Sequence, residues 1–254
     1  MKNKNTSWGG VAKWYEKTVS DDSSYQNTVI KPNLLRILNI SKGENILDVA
    51  CGSGFFAREF SKVGAKVTGL DIGAELVKIA KQQDPKGTYL VGNAEKMNNI
   101  ETGKFDVATI VLALQNIKNF QNALSEIARV LKPNGRCLVV LNHPAFRIPG
   151  KTSWEFDEQS NIQYRRVDAY LSEGSKAMDM HPGRKKSQLT YSFHRPLQVY
   201  FKAFAKHNLA VKNLEEWISP KQSDKGSRKL AEDKARKEFP LFMCLELKKT
   251  DEHR

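Results

Sequence analysis

Cysteine is scarce in this 254-residue chain: Cys51, Cys137 and Cys244 are odd in number, widely spaced and lack the paired spacing of a zinc site. A disulfide framework is therefore excluded, and reduced thiols are expected. The five histidines form no HxxxH or HExxH pattern, so no metal is expected. Long apolar runs are missing too. The longest, Val107–Leu114, is far too short to cross a bilayer. Met1–Gly10 is polar and has no apolar segment of the kind found in a secretory signal. A soluble, cytoplasmic protein without a membrane span is expected. No internal repeat is visible.

What the chain has in excess is positive charge, a net +13 with a pI near 9.6. Such a balance raises an anionic partner, RNA included. Acidic residues are nevertheless scattered among the basic ones, and no basic stretch is interleaved with aromatics. A lysine-rich surface that keeps the protein soluble accounts for the charge without a nucleic acid. Apolar residues make up 40% of the chain, enough for a packed core at this length.

From residue 45 onward strand-like and helix-like segments alternate, the pattern of a parallel sheet covered by helices on both faces. Strands are predicted at Asn45–Ala50, Lys66–Asp71, Thr88–Val91, Phe105–Leu112 and Arg136–Leu141. Between them Phe56, Phe60 and Val63, then Leu76, Ile79 and Ala80, then Phe120, Ala123, Leu124, Ile127, Val130 and Leu131 recur at helical spacing. Leu34, Leu35 and Leu38 mark a helix before the first strand, and Leu197, Tyr200, Phe201 and Phe204 one near the end. Further strands are expected around Leu209–Ile218 and Phe239–Leu247. The chain divides into a helical segment 1–44, a core 45–143, an insertion 144–195 and a closing part 196–254, all within one domain 1–254. The insertion reads as long and irregular, yet ordered, because Trp154, Phe156, Tyr164 and Tyr170 are dense in it. Residues 219–238 read as a mobile charged loop followed by an exposed helix.

The sharpest local feature is Ile46-Leu47-Asp48-Val49-Ala50-Cys51-Gly52-Ser53-Gly54, running from strand into helix. Glycines there allow a tight turn and close approach to a ligand. Gly52, Gly54 and Ala57 also satisfy a loose G-x-G-x-x-A, which keeps a dinucleotide site open. Asp71, at the end of the next strand, can accept hydrogen bonds from ribose hydroxyls in either case. Asp48 favours a ligand with a cationic amine, since a carboxylate four residues before the first glycine would face a pyrophosphate unfavourably. The plainer alternatives are a turn residue for Asp48 and a helix cap for Asp71.

The runs LDVACGSGFFA, TGLDIGAELVKIA, GNAEKM, FDVATIVLALQNIKN and IARVLKPNGRCLVV resemble, in order, the successive motifs of class I S-adenosylmethionine (SAM)-dependent methyltransferases. More narrowly they resemble the small-molecule branch that includes the ubiquinone/menaquinone-biosynthesis type, methyltransferase type 11. The resemblance covers residues 45–143 well. It implies a Rossmann-like, doubly wound α/β fold with a seven-stranded sheet, mostly parallel, whose last strand is antiparallel. It implies SAM as cofactor, with Asp48, Gly52 and Gly54 around its methionine part and Asp71 on the ribose. Ile72 and Asn93-Ala94-Glu95 would line the adenine, Asn93 standing where the family more often has Asp. Val111 and Leu112 would border the methyl group, and Tyr15 and Tyr25 would close the site from the N-terminal helix. The insertion would lie over the carboxyl ends of the strands as a substrate lid.

A sulfonium methyl is already activated, so alignment of the nucleophile and exclusion of water carry most of the catalysis; positioning contributes about 7–11 kcal/mol. A base is needed only when the nucleophile must lose a proton. His194 and His143 are the candidates, since histidine titrates near neutrality. Arg147, Trp154, Tyr164, Arg165, Tyr170 and His181 are candidates for the acceptor pocket. Arg165 and Arg166 alternate along a strand, so only one of them can face the pocket. Leu114-Gln115-Asn116 is not the N/D-P-P-Y tetrad of amino-directed nucleic-acid methyltransferases. The carboxylates of catechol-type enzymes and the cysteines of the cytosine-C5 type are missing as well. A small-molecule acceptor is therefore expected, and the resemblance implies methylation on oxygen or carbon. An RNA or protein substrate, a non-catalytic SAM-binding protein and an NAD-dependent oxidoreductase remain as alternatives. The sequence does not reveal the oligomeric state.

Overall fold

The computed structural model describes residues 12–179 and 189–250. His181 and the side chain of Tyr15 lie outside the described residues. The elements run α1 (Ala12–Val19), a π-helical turn (Gln26–Ile30), α2 (Lys31–Leu38), β1 (Asn45–Val49), α3 (Phe55–Lys62), β2 (Lys66–Asp71), α4 (Ala74–Gln83), β3 (Thr88–Val91) and β4 (Phe105–Val111). They continue with a 3-10 turn (Leu114–Asn116), α5 (Phe120–Val130), β5 (Leu131–Asn142), β6 (Thr152–Asp157), β7 (Ile162–Val167), β8 (Gly174–Asp179), β9 (Leu189–His194), α6 (Leu197–Lys206), β10 (Leu209–Trp217), α7 (Lys229–Glu238) and β11 (Phe242–Lys249).

One seven-stranded sheet has the order β10-β11-β5-β4-β1-β2-β3. Every pairing from β5 through β4, β1 and β2 to β3 is parallel. β11 runs antiparallel to both its neighbours, β5 and β10. The sequence-based fold class is thus realised, with the last strand as the reversed one.

Side-chain alternation along β1 explains the two layers. Leu47 and Val49 point into a core shared with α5 and α6, whereas Ile46 points into a core shared with α2 and α3. Phe120, Ala123, Leu124, Ile127 and Val130 are all buried, so the predicted stripe is the inner face of α5. Burying each of the larger ones contributes about 1.5–3 kcal/mol. Two other stripes shift slightly. Val63 lies 48% exposed just past the end of α3, and Val77 rather than Ile79 is buried on α4.

The insertion departs from the expected irregular loop. It folds as two antiparallel hairpins, β6–β7 and β8–β9. The aromatics that signalled order anchor the first hairpin: Trp154 meets the Phe239 ring edge-on at 5.4 Å, and Arg228 lies 4.3 Å over Phe156. Phe239 therefore ends α7 as a packing residue, and the final strand begins three residues later than expected. The charged stretch before α7 is also tied down, contrary to the mobile loop expected. Ser223 is buried, its N–H donates to Asp233 at 2.7 Å, and Arg236 and Lys229 bind its hydroxyl and carbonyl. Low hydrophobicity concealed this because the anchoring is polar. No helix among the described residues is long and apolar enough to cross a membrane.

Candidate active site

The site is built at the carboxyl ends of β1, β2, β4 and β5, where a doubly wound sheet leaves a crevice. β1 ends at Val49 and the chain turns sharply through Ala50 (φ 56°), Gly52 (φ 56°) and Gly54 (φ 79°) into α3. At Gly54 a Cβ would stand 2.8 Å from Tyr89 Cε1, so this position needs glycine for space as well as for φ. The three thiols are buried and free, and burial pushes that of Cys51 up.

Asp48 shares the face of Ile46, two residues back, and is 2% exposed. Thr109, its register neighbour on β4, donates its hydroxyl to Asp48 Oδ1 at 2.8 Å. Asp48 Oδ2 is buried without a hydrogen-bond partner. Burial raises the Asp48 carboxyl to about 7; the Thr109 hydrogen bond opposes the rise and the Asp71 charge adds to it. Asp71 accepts from the Gly52 N–H at 2.9 Å through Oδ2 and from the Gly73 N–H at 2.7 Å through Oδ1. One carboxylate thus ties the glycine loop to Gly73, the residue before α4, without capping that helix. Burial raises its pKa as well, against those two N–H bonds.

A residue without a sequence signal completes this corner. Glu16 of α1 pairs with Arg58 (3.5 Å) and accepts from Gln83 (2.7 Å), and the buried Ser53 hydroxyl lies beside its carboxylate. Arg58 donates to the Ser53 carbonyl at 2.6 Å, linking α1 to the glycine loop. One buried carboxylate oxygen, Asp48 Oδ2, thus lacks a donor beside the loop. That donor deficit fits the ammonium of a SAM-like ligand and opposes a pyrophosphate.

Past the end of β3, Asn93 Oδ1 accepts from the Glu95 N–H at 2.9 Å, and the Glu95 carboxylate accepts from the N–H (3.2 Å) and the side-chain amide (2.9 Å) of Asn119. Ala94 is buried, while Ile72 is exposed beside Asp71. Past the end of β4, Leu112 adopts φ 53°, and its carbonyl accepts from the side chains of Gln115 (2.9 Å) and Asn116 (3.3 Å). Val111 is half-buried one residue before. Tyr25 packs edge-on to Phe242 and bonds Ser219 at 3.2 Å.

The two histidines differ. His143 Nδ1 accepts from the N–H groups of Ala145 (3.2 Å) and Phe146 (3.3 Å), which leaves the proton on Nε2 to be donated to Glu216 at 2.6 Å. Both ring nitrogens are occupied by the protein, and burial lowers the pKa of the ring. His194 Nε2 donates to the Tyr170 carbonyl at 2.7 Å, so its neutral ring keeps a lone pair on Nδ1. Tyr170 in turn accepts from the Leu197 N–H through its hydroxyl. His194 and Arg147 line one cavity together with Gln115, Asn142 and Arg195. An adjoining cavity of about 140 Å³ shares His194, Ser192 and Pro149 and runs beneath the hairpins.

Arg165 points inward, donating to the Phe146 carbonyl (3.0 Å) and Thr152 (2.8 Å) and lying over Trp154, while Arg166 pairs with Asp168 in solvent. Trp154 and Tyr164 remain largely exposed on the first hairpin.

A family model described as a methyltransferase domain matches residues 47–139. The demethylmenaquinone methyltransferase of Lactococcus lactis is 33% identical over 205 residues, covering 77% of this chain and 78% of that protein. The demethylmenaquinone methyltransferase of Tropheryma whipplei (strain Twist) is 33% identical over 138 residues, covering 53% of this chain and 57% of its own length. The match to the latter thus spans little more than half of that relative. Among solved structures, an S-adenosylmethionine-dependent methyltransferase from Mesorhizobium loti superposes with a TM-score of 0.70 at 25% identity, covering 85% of this chain and 96% of that one.

Proposed function

The chain belongs to the class I S-adenosylmethionine-dependent methyltransferases, and from that premise we propose that it methylates an oxygen or carbon nucleophile of a small molecule by in-line displacement. The observation that carries this reading is Asp48 Oδ2, buried without a donor beside a loop held by Asp71. When bound, the cofactor supplies a methyl group already activated on sulfonium. The protein's part is to hold and orient. Asp48, Gly52 and Gly54 would surround the methionine end, and Asp71 has lone pairs left for ribose hydroxyls after its two backbone bonds. Ile72 and Asn93-Ala94-Glu95 would flank the adenine, and Val111 and Leu112 would border the transfer point. Of the two candidate bases, His194 has a nitrogen free to take a proton, whereas His143 is committed to holding the end of β5 against Glu216.

Partition of label tests the acceptor class. With methyl-labelled SAM and a cell extract, label should enter the small-molecule fraction. Label confined to the RNA or protein fraction would contradict it and favour the macromolecular alternative.

We place the hairpins of the insertion over the acceptor as its lid. Trypsin cleavage after Arg166 and Lys176 should slow when S-adenosylhomocysteine is bound; equal rates with and without it would count against a lid.

A further inference from the structure

Three guanidinium groups stand at the roof of the acceptor side, and among the described residues none is paired with a carboxylate. Arg195 is 4% exposed. Its Nη2 donates to the carbonyls of Ile117 (2.9 Å) and Lys118 (3.0 Å), and its plane lies 4.3 Å from the Phe120 ring and 5.1 Å from Phe193. Its Nη1 is buried beside the Tyr200 hydroxyl, which can take only one of its two N–H groups. Arg147 is half-buried; its guanidinium lies 5.6 Å from the Phe242 ring with Tyr25 near, and burial lowers its pKa. Arg165 bonds neutral acceptors alone, and Arg147 is close enough to disfavour its charge. A guanidinium charge taken out of water is costly unless it is paired.

Gln115 supplies the complementary gap. It is 6% exposed; its amide N–H donates to the Leu112 carbonyl at 2.9 Å, while its Oε1 is buried without a donor. Gln115, Arg195 and Arg147 line the same narrow cavity of about 20 Å³, with Asn142, Tyr200 and His194 on its walls, and it shares Pro149, Ser192 and His194 with the adjoining cavity of about 140 Å³. One cavity thus offers an unfilled donor on a cation and an unfilled neutral acceptor, a short step from the carbonyl of Leu112.

We propose that the methyl acceptor is a hydroxy-carboxylate: its carboxylate is gripped by Arg195 and Arg147, and its hydroxyl donates to Gln115. A planar fork suits a carboxylate, and such charge-assisted bonds are the strong ones in a site closed to water. The amide oxygen of Gln115 then orients the hydroxylated end toward Leu112. This inference rests on the methyltransferase reading, which places the transfer point at the end of β4.

The test is calorimetry on the full chain saturated with S-adenosylhomocysteine. The probes are a set of hydroxybenzoates, hydroxycinnamates and aliphatic hydroxy acids, each paired with its neutral amide. At least one acid should bind, its amide at least about tenfold more weakly, since a hydrogen bond to a charged group typically accounts for that difference or more. Arg147→Gln should cost the acid about ten- to a hundredfold in affinity and leave S-adenosylhomocysteine affinity unchanged. Gln115→Leu should erase the preference for a hydroxy acid over the same acid without its hydroxyl. Amides binding as well as acids, no acid binding at all, or an Arg147→Gln protein that binds the acid like the wild type would each overturn the proposal. If S-adenosylhomocysteine fails to bind the wild type, the methyltransferase reading falls first, and that arm is read separately.

Discussion

Asp48→Asn is expected to stabilise the ligand-free protein at pH 8 and to weaken its hold on SAM. Burial raises the Asp48 carboxyl from an ordinary 3.8 to about 7 in the folded state. The folded protein therefore binds this proton more tightly than the unfolded chain does. Stability from this group is complete below about pH 4 and is lost as pH rises through about 7, by as much as about 4 kcal/mol for a shift of about three units. At pH 8 the wild type carries the whole cost of a buried carboxylate. Asparagine carries none of it and can still accept from Thr109. The midpoint of thermal unfolding at pH 8 should rise by about 5–10 °C in a domain of this size, and the gain should vanish near pH 4. SAM affinity should move the other way, falling about ten- to a hundredfold with the loss of a charged partner for the ammonium. In the wild type that affinity should also decline below pH 7, because the ammonium needs the ionised carboxylate; in the variant the decline should disappear. A variant that is less stable at pH 8, or an unchanged pH profile, would show that Asp48 is a turn residue and no more.

Asp71→Ala is expected to cost SAM about 1.5–3 kcal/mol, or roughly ten- to a hundredfold in affinity, for the lost bonds to the ribose hydroxyls. It also strips acceptors from the Gly52 and Gly73 N–H groups, so unfolding should begin at lower temperature. The two contributions separate in a cycle with a cofactor analogue lacking the ribose hydroxyls. If Asp71 reads the ribose, the analogue binds wild type and variant with a smaller difference than SAM does. Equal losses for both ligands would reduce Asp71 to a brace for the loop. Asp71→Asn should fall between wild type and Ala, since one acceptor oxygen survives.

The sheet from β1 to β5 was legible because its strands are buried on both faces and its helices on one. Runs such as Phe105–Val111 and the Phe120–Val130 stripe report those two environments directly. The hairpins β6–β7 and β8–β9 carry charge on both faces, as in Gln163-Tyr164-Arg165-Arg166, so period-two patterning was diluted and they read as loop. At the site, the glycine turn and its carboxylates were visible as a local motif. Three features were not, because each depends on residues remote in sequence. His143 is bound to Glu216, 73 residues away. Glu16 meets Arg58 across the first strand. The orphaned oxygen of Gln115 faces the same cavity as Arg195 only once β5 and the hairpins are in place. Arg165 and Arg166 lie between these cases: alternation required one to face inward, and the packing of the hairpin on Phe146 decided which.

The central claim is that the turn after β1 holds S-adenosylmethionine. Calorimetric titration of the full chain with SAM and, separately, with NAD tests it most directly. Saturable binding of SAM with no heat from NAD is the expected result, because Asp48 presents an unpaired buried oxygen beside the glycine turn, which opposes a pyrophosphate. Binding of NAD in the absence of SAM binding would contradict it and return the glycine turn to the dinucleotide reading.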